Sequence, residues 1–324
     1  MVTTVEVVDH LEAWKKAAKS QSDKEIATRD AVSRERLIEV NAAAARFHRR
    51  ELMRDKKSWV RDYLMRGGVP ELLAPDSHWA LGYAPDARSR LVDHLRSQGF
   101  SLATVRDAGL GILDADGRTV DRFRDQLMLP ARNDRLQVTG FIGLRTGQRA
   151  PYYASSPTTA VHRRSASLIG VAEQLDLLDG EAQPILVNNP LDAFAIERLS
   201  RLGGGRWIGI PLCDTLLSAE QTRILGSYTA ADTVIVLVTG KRTAQQVLTD
   251  CYRDLTGSFR RVQAVELPRG QTPARIALAP GGLQRLHDAL RLTRPLVDYR
   301  SSRGTAGSLQ SATDVDEAPG PELP

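Results

Sequence analysis

The sequence is poor in the side chains on which much enzyme chemistry relies. Of 324 residues, two are cysteine (Cys213 and Cys251) and six are histidine (His10, His48, His78, His94, His162 and His287). Two cysteines cannot furnish a zinc site of four cysteines, or of three cysteines and a histidine. The histidines are scattered, and no Gly-x-Ser-x-Gly occurs, so nothing suggests a hydrolase triad. The two thiols read as reduced and mostly buried, as in a cytoplasmic protein. Aromatic residues are 5%, so a nucleic-acid surface here would rest on arginine more than on stacked rings. No window approaches about 20 consecutive apolar residues, and no helical membrane span is expected. Residues 1–16 lack a basic segment followed by an apolar run, so they do not read as a signal peptide.

What is present suffices for a core. Hydrophobic residues make up 42% and charged residues 26%, ordinary values for a globular protein. The length suggests two domains with appendages. Lys and Arg outnumber Asp and Glu by 44 to 39, a formal charge of +5. That excess permits a polyanionic partner without requiring one.

Periodicity divides the chain. Residues 1–33 are polar and read as a helical, weakly packed arm. From Arg34 the spacing of Leu37, Val40, Ala44, Phe47 and Leu52 is helical. Further helices are expected over Trp59–Met65 (stopped by Gly67-Gly68), Asp86–Gln98 and Leu102–Ala108, with a turn at Gly82-Tyr83-Ala84-Pro85. Gln126–Pro130 and Leu136–Leu144 read as strands. The second half alternates: strands at Ile185–Val187, Trp207–Ile210, Thr233–Val238 and Val262–Leu267, with helices at Leu191–Leu202, Ser218–Leu225 and Thr243–Leu255. Such alternation predicts a parallel α/β sheet, whose site lies beyond the C-terminal strand ends. A last helix fits Gly282–Arg294. Residues 300–324 carry almost no large apolar side chain and are expected to be disordered.

Thr239-Gly240-Lys241 stands between a strand and a helix, where a phosphate loop would. The required early glycine is Ile235 and the hydroxyl position is Arg242, so the match fails. A helix start flanked by Lys241 and Arg242 remains, and it either holds an anion or is a solvated basic turn. Gly203-Gly204-Gly205 follows a helix, which makes it a helix stop and not a dinucleotide fingerprint. Near the strand ends only Asp192 and Asp214 could contribute carboxylates, and Asp192 could equally cap a helix.

Several motifs occur in the order found in the bacterial DnaG-type primase core. Asp121-Arg122-Phe123-Arg124-Asp125-Gln126-Leu127-Met128-Leu129-Pro130 resembles DRFRxRxxFP, and Gly140-Phe141-Ile142-Gly143-Leu144-Arg145 resembles GFGGR. Tyr153-Ala154-Ser155-Ser156-Pro157-Thr158-Thr159 is similar to YLNSPET, and Leu168-Ile169-Gly170-Val171 to the LYGL that follows. Upstream, Leu37–Phe47 resembles the family's leading helix, Tyr63-Leu64 with Arg66-Gly67 its YLxxRG, and Gly82-Tyr83-Ala84-Pro85 its GYAP. The resemblance spans about residues 34–275. It implies an α/β fold in two lobes: an α+β N-terminal lobe over 34–180 and a Toprim-like parallel sheet over 181–278, followed by a terminal helix over 279–299. It also implies a cleft whose basic residues contact template backbone. By match these are Arg122, Arg124, Arg145 and Arg164, with Tyr153 and Ser156 nearby. The family lysine before the YLNSPET tyrosine is Tyr152 here.

The family's metal-binding acids do not carry over. VEGYxD is replaced by Val187-Asn188-Asn189-Pro190-Leu191-Asp192, which retains only Asp192. DGDxAG is replaced by Thr239-Gly240-Lys241-Arg242-Thr243-Ala244, and the later DP by Thr272-Pro273. Mg²⁺ prefers anionic oxygens. Asn188 is neutral, Thr239 is a weak ligand, and a Lys241 ammonium repels a dication by roughly 1–4 kcal/mol at about 4 Å. Either lysine–phosphate binding has replaced metal–phosphate binding, or an unused site has decayed. The expectation is a primase-like protein of DNA replication or mobile-element DNA processing that binds single-stranded DNA or another nucleic acid, needs no cofactor and makes no primers. Two alternatives stand: an active primase that takes Mg²⁺ on displaced or partner-supplied acids, and a protein-interaction scaffold serving replication or DNA-transfer proteins. The family's zinc ribbon and helicase-binding helical domain are not expected in this chain.

Overall fold

The computed structural model describes residues 33–146, 152–203, 206–238 and 241–299, the last span without the side chains of 241–243. The arm expected over 1–33, apart from residue 33, and the tail expected over 300–324 lie outside the described residues.

The first helix, α1, is described over residues 33–54. Its Leu37, Val40, Ala44 and Phe47 are buried, the stripe a helix turns toward a core. Helix α2 (Trp59–Arg66) ends at Gly67, and Gly68 then takes the left-handed conformation (φ 73°) that glycine adopts freely. Next come β1 (Gly82–Ala84), α3 (Arg90–Ser97), α4 (Leu102–Asp107) and a hairpin of β2 (Gly111–Leu113) with β3 (Thr119–Asp121). Strands β4 (Gln126–Arg132), β5 (Val138–Arg145) and β6 (Tyr152–Ser155) join β1 in an antiparallel sheet of order β1-β4-β5-β6.

Two expectations are corrected in this lobe. Gly82-Tyr83-Ala84 is not a turn; it is β1, with Gly82 paired to Met128. Gly82 sits so close to α1 that a Cβ there would lie 2.4 Å from that of His48. Strand β5 begins at Val138, not Leu136, because Leu136 takes φ 60° in a turn where the Asn133 carboxamide accepts from the Arg135 and Gln137 amides.

The C-terminal half contains α5 (Leu175–Asp179), β7 (Gln183–Val187), α6 (Pro190–Gly203), β8 (Trp207–Pro211), α7 (Ala219–Tyr228) and β9 (Thr233–Val238). It continues with α8 (Lys241–Asp250), α9 (Tyr252–Ser258), β10 (Arg261–Glu266), α10 (Pro273–Leu278), α11 (Gly282–Leu290) and β11 (Arg294–Pro295). The sheet order is β11-β10-β9-β7-β8. Strands β7–β10 run parallel, as expected, and β11 adds an antiparallel edge. The single helix expected over Thr243–Leu255 is two, because Cys251 (φ −137°) interrupts it. The helix expected to reach Arg294 stops at Leu290, and Arg294 enters β11.

The two sheets are not independent. Along β4, Leu127, Leu129 and Ala131 enter a core shared with Ile185 and Val187 of β7, while Met128 enters a second core with α1 and α3. The antiparallel sheet is therefore covered on both faces. Trp79 ties the halves together: its ring meets Phe194 of α6 edge-on at 4.5 Å, and its indole N–H donates to the buried Glu197 carboxylate. On β8, a Cβ at Gly209 would lie 2.3 Å from the Ala193 Cα, so α6 rests directly on the strand.

Two buried histidines make this fold pH-dependent. His48 and His162 are each 1% exposed, and burial pushes both down to about 4. Their unfolded counterparts titrate near 6.5. The unfolded chain therefore binds more protons, and the stabilisation from keeping these rings neutral is lost as pH falls from about 6.5 to 4. Asp121 acts in the opposite sense: burial raises its carboxyl to about 6, although the Leu91 and Val92 amides donate to it. Each histidine contributes on the order of 3 kcal/mol, and Asp121 is joined by Glu173 and Asp192, whose carboxyls burial also raises, in acting against them. Between pH 7 and pH 4.5 the urea midpoint of His162→Gln is expected to change less toward instability than that of wild type; the same change in both proteins would contradict the assignment.

Candidate nucleic-acid interface

Residues from both lobes meet where the parallel strands end. Strand order reverses around β7, with β8 on one side and β9 on the other, the position where open α/β sheets bind ligands. A cleft of about 330 Å³ opens there, lined by Asn188, Asp192, Asp214, Thr215, Gln246 and Thr272 among others.

The acidic and amide side chains at these ends are engaged. Asn188 Nδ2 donates to Asp214 Oδ1 at 2.7 Å, and the Asp214 amide donates back to Asn188 Oδ1 at 2.7 Å. Asn189 Oδ1 accepts the Leu191 amide at 2.9 Å and so starts α6. Asp192 is 6% exposed, and its Oδ1 accepts the Ala274 amide at 3.0 Å. Burial pushes its carboxyl up, while the Ala274 amide and the Thr272 side chain draw it down. Thr272 is the N-cap of α10, its Oγ1 accepting the Arg275 amide at 3.3 Å, and Asp192, 82 positions from Ala274 in the chain, supplements that cap by taking the Ala274 amide. Thr239 lies outside the described residues, as do the side chains of Lys241 and Arg242; what is described is that α8 begins at Lys241.

The basic segment between β3 and β4 belongs to the N-terminal lobe. Asp125 turns it at φ 51°, and its Oδ1 accepts from Trp59 Nε1 (2.8 Å) and the Tyr83 hydroxyl (3.0 Å). Arg145, at the end of β5, donates to the main-chain carbonyls of Arg124 and Asp125, which brings Arg124 and Arg145 together. Arg122 is partly buried, its Nε has no partner among the described residues, and burial lowers its pKa. Arg164 spans the lobes: it donates to the Leu212 carbonyl at 2.8 Å and to Thr215 Oγ1 at 3.1 Å, just past the end of β8.

Two tyrosines complete the junction. Tyr63 of α2 donates to Asn189 Oδ1 at 3.5 Å. The Tyr153 hydroxyl is buried with no partner among the described residues. Burial raises its pKa, and Cys213, Tyr63, Asp214 and Asp192 lie close enough to raise it further. Ser156 differs from the other matched residues: it is 5% exposed and its hydroxyl accepts the Phe141 amide at 2.9 Å, which extends the β5–β6 pairing. The sequence alone suggested no role for Trp59, Asn189 or Cys213. Trp59 and Tyr63 are one helical turn apart on α2, and that spacing was the available signal.

The cap assigned to Asp192 makes a prediction. Asp192→Ala is expected to cost about 1–2 kcal/mol of stability, and Asp192→Asn, which keeps an acceptor, clearly less. Urea denaturation measures both, and equal stability of wild type and the Ala variant would rule the cap out.

Comparison with known proteins agrees with this architecture. The family described as DNA primase catalytic core, N-terminal domain, matches residues 47–175. A DNA primase of Geobacillus stearothermophilus is 30% identical over 266 residues, 82% of this chain and 42% of that protein. A DNA primase of Deinococcus radiodurans is 29% identical over 275 residues, 85% of this chain and 46% of its own length. This chain thus spans less than half the length of those relatives. Among solved structures, a DNA primase domain from Pseudomonas aeruginosa is 25% identical with a TM-score of 0.63, covering 82% of this chain and 81% of that one. The RNA polymerase domain of Mycobacterium tuberculosis primase DnaG, at 22% identity, shares the fold with a TM-score of 0.68 over 84% of this chain and 89% of that one. Matched motifs, sequence relatives and fold agree: the chain belongs to the family of DnaG-type bacterial DNA primase catalytic cores.

Proposed function

We propose that this chain is a primase-like protein of DNA replication, or of mobile-element DNA processing, that binds single-stranded DNA across the cleft between its lobes and does not itself make primers. The parallel sheet is read as Toprim-like. The observation that carries the proposal is the fate of the carboxylates at the strand ends. Of the two carboxylates there, Asp192 gives Oδ1 to the Ala274 amide and Asp214 gives Oδ1 to Asn188, whose carboxamide is neutral. Mg²⁺ needs several anionic oxygens in near-octahedral array, and this donor set does not fit it. Two carboxylates, each with one oxygen already hydrogen-bonded, are a poor seat for the cation of a metal-assisted phosphoryl step.

The basic side chains suit DNA better. Arg164 bridges to the end of β8, Arg145 is tied to the segment that carries Arg122 and Arg124, and these four arginines are proposed to take the DNA backbone. Contacts from arginine to phosphate give affinity without reading sequence and weaken as salt rises. In the family, one solved DnaG catalytic domain is bound to single-stranded DNA, which supports the same use here. Lys241 and Arg242 at the start of α8 are proposed to add to the phosphate field.

Fluorescence anisotropy with a single-stranded oligonucleotide tests the reading. Binding is expected at low salt, equal in EDTA and in Mg²⁺. Arg122→Ala with Arg145→Ala should weaken it at least about tenfold and reduce the salt slope by roughly one or two. Loss of binding in EDTA, or magnesium-dependent primer synthesis by the wild-type chain, would restore the active-primase reading.

A further inference from the structure

We propose that Asn188 and Asp214 form a metal-free latch that joins the C-terminal ends of β7 and β8 and fixes one wall of the cleft. The latch deepens the function proposed above, but it rests on contacts within the protein and not on DNA binding.

Parallel pairing of the two strands stops at Val187 and Pro211. The chains nevertheless stay joined beyond that point. The Leu212 amide donates to the Val187 carbonyl at 2.7 Å, and the Cys213 amide to the Asn188 carbonyl at 3.0 Å. The Asp214 amide then donates to the Asn188 side chain, and the Asn188 side chain donates to the Asp214 carboxylate. Main-chain pairing is thus continued by a carboxamide acting as both donor and acceptor.

The local backbone shows what the latch opposes. Cys213 and Asp214 both take left-handed conformations, at φ 52° and 62°. Aspartate tolerates that region, whereas two consecutive non-glycine residues there are unusual and persist only where surrounding contacts hold them. The sharp bend returns the Asp214 amide and carboxylate to Asn188. Arg164 secures the same bend from the other side through the Leu212 carbonyl and Thr215.

The amide at 188 is what allows this without an ion. A carboxylate at 188 could accept the Asp214 amide but could donate nothing, and it would stand against a second carboxylate at hydrogen-bond distance. Two such groups need a proton or a cation between them. Asparagine removes the repulsion and supplies the donor. Asparagine at 188 thus gives the two strand ends a hydrogen-bonded pair that needs no cation.

Thermal melts of the full chain, paired with Mn²⁺ binding by electron paramagnetic resonance, test the latch. The wild-type melting temperature is expected to be the same in EDTA and in Mn²⁺. Asn188→Asp should lower it by about 3–5 °C in EDTA, recover on adding Mn²⁺, and bind the ion. The exchanged pair Asn188→Asp with Asp214→Asn restores one amide facing one carboxylate. It should regain the wild-type melting temperature in EDTA and lose the response to Mn²⁺. An exchanged pair as unstable as the single variant, a single variant unaffected in EDTA, or Mn²⁺ binding by the wild type that Asp214→Asn abolishes would each overturn the proposal. DNA binding by the wild type is measured separately, so its absence would remove the cleft reading and leave the latch standing.

Discussion

The fold depends on burying both faces of the β4–β5 pair. Leu127, Leu129, Ile142 and Leu144 look toward the parallel sheet, while Met128 and Phe141 look toward α1 and α3. Apolar burial of this kind is worth roughly 25 cal/mol per Å² removed from water, and here it makes one body of two sheets. Without the shared core, the basic segment at 122–125 and the strand ends at 188 and 214 would have no fixed relation. Trp79, Phe194 and Glu197 strengthen the same junction, and the Trp79 indole finds its partner in the buried carboxylate.

Around the cleft, polar groups that could do chemistry are used for architecture. Asp121 accepts the amides at the start of α3, Asp125 receives Trp59 and Tyr83, and Asp192 takes the Ala274 amide beside the Thr272 cap of α10. Each leaves a helix or turn satisfied and a carboxylate occupied. Arg122 Nε and the Tyr153 hydroxyl are buried without a partner among the described residues, while Asn188 and Asp214 are exposed at the strand ends.

Some of this was legible in the chain. Apolar runs such as Thr233–Val238, closed by polar segments, could only be buried strands, and alternation with helices made them parallel. Other features were not legible because their causes are remote in sequence. Gly82–Ala84 is a strand because β4 lies beside it, and its glycine is needed only because His48 crosses there. Tyr152–Ser155 carries no alternating pattern and owes its extended form to β5. Asp192 stands where it could have capped its own helix, yet its partner is Ala274. Asn188 looked like a plain loss of charge, and its tie to Asp214 follows from two left-handed residues that no local pattern announces.

Hydrogen exchange in EDTA, with and without single-stranded DNA at low salt, tests the metal-free cleft most directly. Added protection is expected at residues 122–126, at the end of β5, around Arg164 and at the ends of β7 and β8, all without a divalent ion. Protection that avoids these segments, or that emerges only when Mg²⁺ is supplied, would contradict a cleft that holds DNA through its arginines alone.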